Sequence, residues 1–80
     1  MKAIVNVYLK EGVLDPQGKA VHHALDSLGF QSVKDVRIGK QIVLQLEADN
    51  EEAAEAEVKK MCETLLANTV IEDYSIEICS

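Results

Sequence analysis

The apolar residues of this chain switch repeatedly between a spacing of two and a helical spacing, and that succession restricts what it can fold into. From Ala3 to Leu9 the residues alternate: Ala3, Val5, Val7 and Leu9 face one way, Ile4, Asn6 and Tyr8 the other, as in a strand. Asp15 then offers an N-cap and Pro16 a first helical residue, and Ala20, Val21, Ala24, Leu25 and Leu28 fall on one helical stripe that Gly29 ends. Val33 to Ile38 and Gln41 to Glu47 read as two strands, joined by Gly39-Lys40 as a type II′ hairpin. A second helix is expected from Asp49 or Asn50, with Glu51 and Glu52 at its positive end, Lys59 and Lys60 further along, and Ala54, Val58, Met61 and Leu65 buried. Asn68 is expected to cap it in a left-handed conformation, and Val70 to Ile78 alternates again, with Tyr74, Ile76 and Ile78 on one side. The order βαββαβ predicts a single α+β domain over residues 1–80. The expected form is a two-layer sandwich, ferredoxin-like or a close variant, with an antiparallel sheet and both helices on one face.

A domain of 80 residues buries only roughly 60% of its unfolded surface, so it needs something beyond its own core. Cys62 and Cys79 lack zinc spacing and suit no disulfide in a reducing compartment; they read as a half-buried small apolar side chain and a tail thiol. Oligomerisation remains as the staple. Ile4, Tyr8 and Val43 can share the sheet face that the helices leave uncovered, which makes them the candidate interface of a homodimer or larger homo-oligomer. A net charge of −6, no basic run and three aromatic residues argue against nucleic acid. No apolar run is long enough for a membrane span, and the start is too short and too strictly alternating for a signal peptide, so the expected location is the cytoplasm.

Catalytic chemistry finds little support. His22 and His23 are neighbours on a helix and point about 100° apart, so they cannot share one ligand. The acidic residues form no metal-ligand pattern, and there is no glycine-rich phosphate loop or nucleophile elbow. No catalytic residue, metal ligand or cofactor is expected in this chain alone. Gly18 is the anomaly, since glycine in a first helical turn costs about 1 kcal/mol against alanine. With Asp15, Pro16 and Lys19 it marks either an anion-accepting helix start or a place where another backbone approaches, and Lys10, Gly39 and Lys40 complete a candidate docking surface. On helix propensity alone, Gly18→Ala is expected to stabilise.

The runs VYLKEGVLDPQGKAVHHALDSLGF, VRIGK and LLANTVIEDYSIEI, at these spacings, resemble the PurS family over Val5 to Ile78. The resemblance implies a non-catalytic small subunit of phosphoribosylformylglycinamidine synthase in de novo purine synthesis. It implies a dimer that bridges a PurQ-like glutaminase and a PurL-like synthetase and supports ammonia transfer, the synthetase being the subunit that uses ATP and magnesium. Two other βαββαβ readings remain open. One is an ACT-like small-molecule-binding regulatory module. The other is an acylphosphatase-like enzyme, which needs an arginine before the first helix, whereas the sole arginine here is Arg37.

Overall fold

The centre of the molecule is its first strand, β1 (Lys2–Leu9), which pairs antiparallel on both sides. The computed structural model describes residues 1–79. On one side of β1 lies β2 (Gly39–Gln45), on the other β3 (Glu72–Cys79), giving the order β2-β1-β3. The alternation in β1 sets the faces. Ala3, Val5 and Val7 are buried, and register places Leu44 and Ile78 beside Ala3, and Ile42 and Ile76 beside Val5. Val5, Val7 and Val58 are fully enclosed, each contributing about 1.5–3 kcal/mol.

Two helices precede β2 and β3: α1 (Pro16–Ser27) and α2 (Glu51–Met61). Asn50 caps α2 by accepting from the Ala53 N–H at 2.8 Å. Ala54 and Val58 then turn onto the sheet and enclose the core with Cys62. Past Met61 the helix widens into a π turn, Cys62–Leu66. Cys62, four residues after Val58, continues the buried stripe, and in the wider turn Leu66 packs against the core while Leu65, expected inside, is 81% exposed. Asn68 keeps a negative φ and caps differently, its side chain accepting from the Val70 N–H.

The α+β class and the antiparallel sheet are as expected, but two details of the arrangement differ. Val33–Ile38 forms no strand, so the described chain has three strands, and Gly39-Lys40 begins β2 instead of turning a hairpin. The reason lies in the polar groups of that segment. The Val33 carbonyl bonds His22, the Ile38 N–H bonds Asp15, and the Val36 backbone lies against Gly18, so the segment is committed to α1 and β2 keeps a free edge. The second difference is α1 itself. Only α2 covers the sheet; no residue from 10 to 38 joins the apolar core. Instead α1 and its return segment form an arm, and the molecule measures 50 × 26 × 14 Å. Its radius of gyration is 16.0 Å, where a compact chain of this length would have about 12 Å.

Candidate functional site

At the root of the arm, the start of α1 and the end of the return segment meet on one carboxylate. Asp15 lies before α1 in extended conformation and is 4% exposed. Its Oδ1 accepts from the Gly18 N–H at 2.8 Å, as an N-cap should, and its Oδ2 accepts from the Ile38 N–H at 2.7 Å. One side chain thus fastens the start of the arm to its end. The Ile38 N–H, then the Gly18 N–H, and the nearby charge of Arg37 hold the Asp15 carboxyl below its ordinary value of 3.8. Arg37 braces the same corner, donating through Nη2 to the carbonyls of Lys10 at 3.2 Å and Val13 at 2.9 Å.

Gly18 now has a physical account. A β-carbon there would overlap the Val36 carbonyl oxygen, so the backbone that glycine admits is the chain's own return segment. Gly18 is buried, and the expectation that Gly18→Ala stabilises is overturned. The helix start is no open anion site either, because Asp15 occupies the Gly18 donor.

Beside this clasp, a hollow of about 280 Å³ opens between the end of β1, the start of α1 and the start of β2. It brings Asp15, Pro16, Gly39 and Lys40 of the candidate docking set together with Tyr8 of the candidate interface. Lys10 and Lys19 lie elsewhere. The Lys10 ammonium pairs with Asp73 at 3.7 Å, while Lys19 sits on the arm beside His22, His23 and Asp26. Gly39 admits the β1 backbone, since a β-carbon there would come within 2.8 Å of the Val7 carbonyl oxygen. The sequence reading missed Glu72 and Gln17, which also line the hollow, and gave the return segment no part in it. Arg37, the sole arginine, was the available signal for that segment.

On the outer sheet face, Ile4 and Val43 are direct cross-strand partners, with Val43 52% exposed. Tyr8 lies four residues along β1, beyond Asn6, whose Oδ1 accepts from Gln41 at 3.1 Å. The three expected interface residues therefore share a face but are interrupted by a polar pair. His22 spans from α1 to the Val33 carbonyl at 2.9 Å, which ties down the arm; His23 is exposed. Cys62 is buried, which pushes its thiol pKa up and makes it a packing residue. No cluster of metal-ligating side chains occurs among the described residues.

Comparison with known proteins gives this architecture its relatives. A phosphoribosylformylglycinamidine synthase subunit PurS of Bacillus subtilis is 56% identical over 77 residues, spanning 96% of this chain and 90% of its own. The solved Bacillus subtilis PurS structure superposes with a TM-score of 0.86 at 55% identity, covering 99% of this chain and 98% of that one. A chain in the solved structure of PurLQS from Thermotoga maritima gives 0.88 at 39% identity, covering 95% and 93%. The family model for PurS, described as phosphoribosylformylglycinamidine (FGAM) synthase, matches residues 2–80, and the chain belongs to that family.

Proposed function

We propose that this chain is a non-catalytic subunit of FGAM synthase, the glutamine- and ATP-dependent ligase of de novo purine synthesis. In this reading it bridges a PurL-like synthetase and a PurQ-like glutaminase and supports the passage of ammonia between them. ATP and magnesium are used by the PurL-like partner. The observation that carries the reading is the full-length likeness to PurS subunits, one of them within a PurLQS structure. A chain whose polar side chains mostly serve its own backbone also suits a bridging part better than a catalyst. The hollow beside the clasp is the surface on which a larger subunit would seat, since Pro16, Gly39 and Lys40 are exposed there.

The test is reconstitution. The purified chain alone should neither hydrolyse ATP nor release ammonia from glutamine. Added to PurL-like and PurQ-like partners, it should restore glutamine-dependent FGAM formation, with much less effect on the reaction fed directly with ammonia. Lys40→Glu, on the rim of the hollow, should weaken this rescue and leave the fold unchanged by circular dichroism. Equal glutamine use by the partners without this chain would overturn the bridging role.

A further inference from the structure

Two turns at one end of the sheet hold apolar side chains in water. Leu14 is 63% exposed, Val70 82% and Ile71 39%. The first turn follows β1 and the second precedes β3, and the Lys10 N–H joins them by donating to the Ile71 carbonyl at 2.9 Å. Residues 10–14 and 68–71 add nothing to the apolar core.

Polar bonds build these turns. Arg37 holds the carbonyls of Lys10 and Val13, and the Val13 N–H donates to the Lys10 carbonyl at 3.1 Å. In the second turn the Asn68 side chain accepts from the Val70 N–H at 3.2 Å, and Glu72 Oε1 accepts from the Asn68 N–H at 2.7 Å. Leu14, Val70 and Ile71 are thus presented on fixed backbone without serving the fold, so covering them costs little ordering entropy.

Both turns adjoin the hollow, whose lining includes Leu9, Asp15, Pro16 and Glu72. Ten residues line that hollow, whereas a specific protein interface takes about 20–30 on each side. A larger subunit seated in the hollow must therefore cover more of the surface around it. We propose that its footprint runs from the hollow onto both turns, with Leu14 and Val70 as apolar anchors, an inference that rests on the reading of this chain as a bridging subunit. The occupant's matching surface is apolar and poor in charge.

Charge favours this end of the molecule over the face of α2. Residues 47–63 carry seven carboxylates against Lys59 and Lys60, which is −5 of the net −6. The cores of protein interfaces are depleted in charged residues, and burying that segment would desolvate many of them. At the turns the charges are already engaged within the chain. The Lys10 ammonium pairs with Asp73 at 3.7 Å, Arg37 donates to its two carbonyls, and Glu72 accepts from Asn68.

The experiment uses the full chain with purified PurL-like and PurQ-like subunits. Leu14→Asp and Val70→Asp alter exposed side chains, so circular dichroism and melting temperature should match the parent. Each should raise at least about tenfold the concentration of chain that half-restores glutamine-dependent FGAM formation. Amides of residues 11–14 and 69–71 should exchange more slowly in the assembled complex, and sedimentation of the chain alone should be unchanged. If Lys40→Glu weakens the rescue and both Asp variants rescue like the parent, the footprint stops at the hollow and the inference is overturned. Asp variants that alter association between copies, with parent-like rescue, would give the turns to a second copy and overturn it as well. A parent chain that rescues nothing would overturn the bridging reading and the inference with it.

Discussion

Gly18 and Asp15 divide the labour of one corner, and each makes a prediction at the scale of a single residue. Gly18→Ala should destabilise the chain by about 1–3 kcal/mol in urea unfolding, because the new methyl must push back the Val36 carbonyl. Helix propensity alone gives the opposite sign. For Asp15, the folded pKa lies below the unfolded one, so its contribution to stability is present above about pH 4 and lost as pH falls through the lower folded value. Asp15→Asn, which replaces one acceptor with a donor facing the Ile38 N–H, should be less stable at neutral pH. Its melting temperature should also fall less steeply between pH 5 and pH 2, in roughly the window where the native carboxylate titrates. The cap was legible in the sequence because donor and acceptor are three residues apart. The second bond, to Ile38, spans 23 residues, and no local pattern announces it.

At the scale of elements, the strands that formed are those whose alternation found a partner strand. β1, β2 and β3 were legible because apolar residues alternate along one face of each: Ala3, Val5 and Val7, then Ile42 and Leu44, then Tyr74, Ile76 and Ile78. Val33–Ile38 has strand-like composition, but its backbone bonds go to α1, a competition decided in three dimensions. The stripe on α1 was legible too, while its lack of cover was not, since amphipathic spacing says which face is apolar and not what meets it. The π turn is a further case. A uniform helical period puts Leu65 inside, whereas in the widened turn Leu66 packs on the core and Cys62, four residues past Val58, is buried. Cys62→Ser should therefore cost about 1–3 kcal/mol, by burying a hydroxyl among Val5, Val7 and Val58. Leu65→Ser should leave the far-ultraviolet spectrum and the melting temperature of the chain close to the parent's, because that side chain is 81% exposed. The Tyr74 hydroxyl, donating to Glu63 at 2.7 Å with its pKa pushed up to about 12, ties the π turn to β3 and fixes this phase.

For the whole molecule, a small core and a projecting arm make folding and association parts of one equilibrium. The melting temperature should rise with protein concentration, measured by calorimetry over a hundredfold range, because a second copy binds only the folded chain. A melting temperature independent of concentration would mean that the core alone sustains the fold. The Asp15 clasp has a consequence of another kind. By joining residues 15 and 38 at the sheet, it makes the arm a closed loop whose tip, around Gly29–Ser32, makes no contact with the core. Closure entropy changes slowly with loop length, about 0.6 kcal/mol for each doubling. Insertions or deletions at that tip are therefore nearly silent for the body. The length of the arm can thus be changed without changing the sheet that anchors it.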